Sequence, residues 1–113
     1  MSRYALALDL RDDPQAIAEY EEWHRRVWPE VQRSITDAGI ELMEIYRTGN
    51  RLFMIIETGD SFSFARKAEM DASNPKVQEW ERLMEQFQQR LPWAKSDEKW
   101  IVMDKIFELR AKN

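Results

Sequence analysis

An α+β fold in the order β-α-β-β-α-β is what this sequence predicts, on three observations. Apolar residues alternate in four short runs, RYALALDLR, IELMEIYRT, RLFMIIET and KWIVMDKIFE. Apolar residues recur at three- and four-residue spacing in the stretches between the first and second runs and between the third and fourth. The two middle runs are separated only by Gly49-Asn50, which suits a tight hairpin turn. Arranged in chain order, these pieces give the ferredoxin-like split βαβ pattern: a four-stranded antiparallel sheet with its helices on one face.

The first strand is expected over residues 3–11. Asp12 and Asp13 ahead of Pro14 signal a helix start, with aspartate as cap and proline in the first turn. Residues 14–27 then read as helix through Ile17, Tyr20, His24, Val27 and Trp28. Pro29 breaks or kinks that helix, residues 29–38 continue it through Val31 and Ile35, and Gly39 terminates it. Strands follow over 40–48 and 51–58. Asp60 and Ser61 are candidate caps for a short helix over about 62–70. Asn74-Pro75 opens a longer helix to about residue 90, with the stripe Val77, Trp80, Met84, Phe87 and Leu91. Residues 99–108 are expected to close the chain as a strand. With 113 residues and no linker, repeat or low-complexity tract, residues 1–113 read as one domain with a modest core.

The strands are apolar on both faces. Leu52, Met54 and Ile56 oppose Phe53 and Ile55, and Val102 and Ile106 oppose Ile101, Met103 and Phe107. Helices on one face of a sheet leave the other face open, and a second sheet covers it most economically. The expectation is a homodimer packed sheet to sheet. The competing reading is a monomer with an unusually apolar open face.

Composition excludes several classes. The net charge is −4, from 17 basic and 21 acidic residues interspersed as in EYEEWHRR, which argues against nucleic-acid binding. No apolar run approaches the roughly 20 residues that span a bilayer, and the N-terminus reads directly into a strand rather than a signal peptide, so no membrane association is expected. Cysteine is absent, which removes disulfides, thiol nucleophiles and thiolate metal sites and fits a cytoplasmic location. There is no glycine-rich phosphate loop, nucleophile elbow or HExxH.

His24 is the only histidine, and so the one side chain that exchanges protons readily near neutral pH. Tyr20 lies one turn before it and Trp28 one turn after, giving a Tyr/His/Trp stripe aimed at the sheet. Spacing alone fits equally well a core histidine satisfied by backbone carbonyls. A lone histidine without a second ligand in phase does not make a metal site. Glu81 lies beside Trp80 on an otherwise apolar stripe, where an unpartnered carboxylate is costly. It is either an acceptor for vicinal sugar hydroxyls or an edge residue reaching to water. Of the five tryptophans, Trp28 and Trp100 are read as core. An indole face can also pack against the C–H face of a sugar ring.

At Tyr20-x-x-x-His24-x-x-x-Trp28-Pro29-Glu30, with Gln78-x-Trp80 further on, the sequence resembles the L-rhamnose mutarotase family over roughly residues 3–108. The resemblance implies a dimeric ferredoxin-like α/β barrel and a cofactor-free aldose 1-epimerase that acts on a monosaccharide. It puts the catalytic proton donor on His24, a sugar-contacting tyrosine on Tyr20 and the first of a tryptophan pair on Trp80. The chain departs from the rhamnose-specific pattern at two positions: Met43 stands for a second contacting tyrosine and Glu81 for the second tryptophan. Both departures bear on the choice of sugar, between L-rhamnose and L-fucose, which differ at C2 and C4. The expected substrate-binding set is Tyr20, Met43, Trp80 and Glu81, with no metal and no cofactor. The competing class is a ferredoxin-like ligand-binding or haem-handling protein, in which His24 would be an axial ligand and the protein would be coloured.

Overall fold

The structure, a computed structural model, describes residues 1–111. The elements are β1 (Ser2–Leu10), α1 (Pro14–His24), α2 (Pro29–Asp37), β2 (Ile40–Thr48), β3 (Arg51–Thr58), α3 (Phe64–Ala72), α4 (Pro75–Glu85), β4 (Gln88–Gln89) and β5 (Ile101–Val102). The order is the predicted one, and the fold is α+β and ferredoxin-like.

The sheet is antiparallel, ordered β2-β3-β1-β4, with β5 also paired to β1. β1 lies against β3 from Ser2↔Thr58 to Asp9↔Arg51. β2 and β3 form the hairpin, with one irregularity between Ile40 and Leu42. Gly49 takes the positive φ of 55° that this turn requires. Gly39 takes φ of 99°, and a Cβ there would lie 2.8 Å from Ser61 Oγ, so α2 turns into β2 at a point no larger residue fits without a shift.

Caps set the helix starts. The Asp13 side chain accepts from Gln15 N, and Asn74 accepts from Lys76 N and Val77 N, both ahead of a proline in the first turn. The third helix is capped by Ser63, which accepts from Arg66 N, and not by Asp60 or Ser61; it starts at Phe64 rather than 62. The first helix ends at His24 rather than 27, because Pro29 and the turn before it take up the intervening residues.

Two expectations at the C-terminal end are corrected. The helix expected to reach residue 90 stops at Glu85, and Gln88–Gln89 pair with Asp9 and Leu10 as a strand. Phe87 and Leu91 are buried, as a helical stripe would have them, but from extended and turning chain. The closing strand expected over 99–108 is confined to Ile101–Val102, opposite Ala7 and Leu6. One further bond, Met103 N to Ala5 O at 2.7 Å, ends the pairing. Thus β4 and β5 divide between them the edge position of one fourth strand. Beyond Met103 the chain carries Ile106, Phe107 and Leu109 at 94%, 76% and 81% exposure.

The core lies between the sheet and the helices. Leu6, Leu8, Leu10, Leu52, Met54 and Ile56 are all buried on that side. Each contributes about 1.5–3 kcal/mol relative to exposure. On the opposite side of the sheet, Leu42 and Tyr46 are exposed while Phe53 and Ile55 are half-buried. Among the described residues, no helix is long and apolar enough to cross a membrane.

Candidate functional site

A cleft of about 620 Å³ opens between the helices and the helix-facing side of the sheet, and Tyr20, His24, Met43, Trp80 and Glu81 all line it. The sequence-predicted set is therefore brought together from three elements. Tyr20 and His24 come from the last turns of α1. Met43 lies on β2 opposite Ile56, so it faces the helices. Trp80 and Glu81 come from the middle of α4.

His24 is half-buried. Its Nδ1 lies 2.8 Å from the Tyr20 carbonyl oxygen. A carbonyl oxygen only accepts, so the proton of the neutral ring sits on Nδ1 and Nε2 keeps its lone pair. The Tyr20 ring packs on the imidazole with centroids 4.3 Å apart and planes 34° from parallel. Trp80 meets it edge to face at 5.7 Å. Ring orientation is thus fixed by one hydrogen bond and two aromatic contacts.

Burial pushes the His24 pKa below its ordinary 6.5, against the opposing effect of the bond to Tyr20. The neutral ring is therefore the resting form at neutral pH. The linkage has a definite sign. As the pH falls below about 6.5 the unfolded chain takes up this proton first, so stability is lost from there down through the lowered folded value. Melting temperatures measured between about pH 5 and 8 should fall more steeply on the acid side for the parent than for His24→Asn. Parallel curves would contradict the lowered value.

Tyr20 is 4% exposed, and burial raises its hydroxyl to about 12, with the nearby Gln88 side chain acting weakly in the other direction. It is a phenol at any ordinary pH: a hydrogen-bond donor, not a base. Trp80 is 8% exposed, edge to face with Trp28 at 5.1 Å and with Trp23 at 6.4 Å, so most of its indole is already engaged by protein. Trp28 and Trp100 pack against the core as expected.

Glu81 is half-buried, and its Oε2 accepts from Gln78 Nε2 at 3.3 Å. It has no ion-pair partner among the described residues. Two other acids lining the cleft do: Asp71 with Lys67 at 2.5 Å and Glu85 with Lys99 at 3.7 Å. Sequence reasoning missed Lys67 and Asp71. The one signal for them is their i,i+4 spacing, which on a polar helix reads as a solvated pair. Among the described residues, no three metal-ligating side chains converge.

Residues 3–109 match the family profile described as L-rhamnose mutarotase. An L-fucose mutarotase of Xanthomonas campestris is 47% identical over 111 residues, covering 96% of this chain and 89% of that protein. Among solved structures, an L-rhamnose mutarotase from Formosa agariphila superposes with a TM-score of 0.70 at 23% identity, covering 97% of this chain and all of that one. A dimeric ferredoxin-like protein from an uncultured marine organism superposes at 0.54 with 14% identity, covering 96% and 91%. At those identities the structural likenesses speak for the fold, whereas the profile match and the 47% relative establish the family. The chain belongs to the L-rhamnose mutarotase family of isomerases.

Proposed function

We propose that the protein interconverts the α and β anomers of a 6-deoxy-L-hexose, with L-fucose preferred over L-rhamnose, and that the cleft described above is its active site. The observation that carries the site is His24, a neutral imidazole held by its Nδ1–H, whose remaining nitrogen carries a lone pair in a cleft walled by aromatic and carboxylate side chains. The preference for L-fucose rests on the 47% relative and on the two departures from the rhamnose pattern, Met43 and Glu81.

Mutarotation opens the pyranose by breaking the C1–O5 bond, turns the aldehyde about C1–C2, and closes the ring on its other face. Opening delivers one proton to O5 and removes one from the anomeric hydroxyl, and closing reverses both. His24 delivers the proton to O5 from Nε2 in its imidazolium form, a minor species at neutral pH that is loaded from solvent, and takes it back as the ring closes. Its lowered pKa makes the imidazolium a stronger acid than an ordinary histidine. A bound water relays the anomeric proton to solvent, while Glu81 accepts from the ring hydroxyls that distinguish the sugars. Tyr20 donates to the sugar without ionising. Met43 supplies an adaptable apolar floor, and Trp80 an apolar wall. No electron or group is transferred, so the reaction itself calls for no cofactor.

The cleft carries mixed charge: Lys67 and Lys99 are each paired with an acid, while Glu81 and Arg90, which also line it, have no ion-pair partner among the described residues. Saturation-transfer NMR between the α and β anomeric protons of L-fucose, L-rhamnose, L-galactose, L-fucose 1-phosphate and D-glucose tests the reading; the phosphate has a fixed anomer and serves only as a competitor. Accelerated exchange is expected on the deoxy sugars, with negligible competition by the phosphate. Exchange confined to D-glucose would overturn it.

The same proposal includes a homodimer packed through the open sheet face, working in the cytoplasm. Leu42, Tyr46, Phe53 and Ile55 on that face, and the apolar Ile106, Phe107 and Leu109 beyond β5, are what a second copy would cover. Sedimentation at micromolar concentration should give a dimer, and Phe53→Glu should shift it to monomer. A stable parent monomer would refute the arrangement.

A further inference from the structure

We propose that Gln78 is a positioning residue that holds the Glu81 carboxylate in its substrate-facing orientation; this rests on the reading of Glu81 as a sugar-recognition group. The Gln78 amide nitrogen has two hydrogens and spends both. One goes to the carbonyl oxygen of Asp71 at 2.8 Å, the other to Glu81 Oε2 at 3.3 Å. The Asp71 carbonyl belongs to the last turn of α3 and also accepts from Asn74 N at 3.2 Å, so Gln78 takes its second lone pair. The Asp71 side chain is in turn held by Lys67 at 2.5 Å. Gln78 therefore ties Glu81 to the C-terminal end of a neighbouring helix, which a flexible glutamate on α4 cannot do for itself. Oε2 takes the Gln78 bond and Oε1 accepts none among the described residues, which leaves Oε1 open to a sugar hydroxyl. Holding a recognition group in place beforehand lowers the ordering cost of binding. Gln78 is uncharged, so it orients the carboxylate without setting a cation beside it, as a lysine at position 78 would.

A double-mutant cycle tests this. KM and kcat for L-fucose exchange, and the melting temperature, are measured for the parent, Gln78→Met, Glu81→Met and the double variant. Gln78→Met should raise KM about five- to tenfold with kcat changed less than about twofold, and should have almost no further effect in the Glu81→Met background, where no acceptor remains. Gln78→Glu keeps the length but sets a second carboxylate against Glu81; it should raise KM further, again only while Glu81 is present. This second cycle decides the matter if Gln78→Met does not fold. The same fold-change in both backgrounds, or a lower melting temperature with KM unchanged, would overturn the positioning role while leaving Glu81 in sugar recognition. A silent Glu81→Met would overturn both.

Discussion

Anomer exchange should drop by about 10²–10⁴-fold in a folded His24→Asn protein. Asparagine is the informative replacement because its carboxamide nitrogen falls near the place of Nδ1. It can keep donating to the Tyr20 carbonyl oxygen, now 2.8 Å from Nδ1, while nothing replaces Nε2. The bond that holds the end of α1 in shape survives, and the nitrogen assigned to the chemistry is gone. Glutamine does the reverse: its amide reaches toward the Nε2 position but cannot be protonated at neutral pH. Both variants should melt cooperatively, and neither should exchange anomers above the uncatalysed rate by more than a small factor. Saturation-transfer NMR on L-fucose gives the rate, and circular dichroism gives the fold. Near-native exchange in folded His24→Asn would remove His24 from the mechanism and leave bound water to do both proton transfers.

How much of this was legible in the sequence depends on what kind of signal each element gives. Helix starts are local chemistry: Asp13-Pro14 and Asn74-Pro75 place a cap and a proline side by side, and both act as caps. The hairpin is local too, because Gly49-Asn50 leaves room for little else. The C-terminal third is not local. Phe87 and Leu91 extend the spacing of Val77, Trp80 and Met84, so they read as one more turn of helix. Burial at that spacing is a statement about where side chains end up, and here an extended Gln88–Gln89 delivers them to the same core. Likewise, alternation over 99–108 describes side chains, whereas a strand needs a neighbour. The ladder on β1 ends after Ile101, Val102 and one bond from Met103, although β1 itself runs on to Ser2, and alternation alone does not show where such a ladder stops.

The site divides the same way. His24 and Glu81 stood out as unusual residues on otherwise apolar helical stripes, whereas the sugar-contact roles of Tyr20 and Trp80 came from the resemblance; the fold brings all four to one cleft. Met43 was placed by resemblance alone, and its position opposite Ile56 puts it on the helix-facing side. The tie through Gln78 to the end of α3 was not legible. A glutamine one turn before a glutamate signals nothing until the neighbouring helix is in place, since one of its two acceptors is a backbone carbonyl seven residues back.

Replacing Glu81 by tryptophan should move the preference from L-fucose toward L-rhamnose. Glu81 is the one position where this chain carries a charge in place of the second tryptophan of the rhamnose-specific pattern. Two sugars that differ at C2 and C4 present the same ring oxygen and anomeric hydroxyl to His24, so discrimination falls to groups that meet the other hydroxyls. An ionised carboxylate only accepts, and its bonds to hydroxyls are stronger than neutral ones. Losing such a bond costs about 10–10²-fold in kcat/KM on the sugar that makes it. On the sugar that cannot make it, the carboxylate is a desolvated charge without a donor, and its removal costs nothing or helps. The kcat/KM ratio of L-fucose to L-rhamnose should therefore fall in Glu81→Trp by at least the loss on L-fucose. Glu81→Gln keeps the shape and hydrogen-bonding capacity without the charge, so it should fall in between. Exchange kinetics on both sugars for parent, Glu81→Gln and Glu81→Trp measure this directly. Equal parental rates on the two sugars, left unchanged by Glu81→Trp, would take Glu81 out of sugar recognition and place the specificity elsewhere in the cleft, with Met43 the next residue to change.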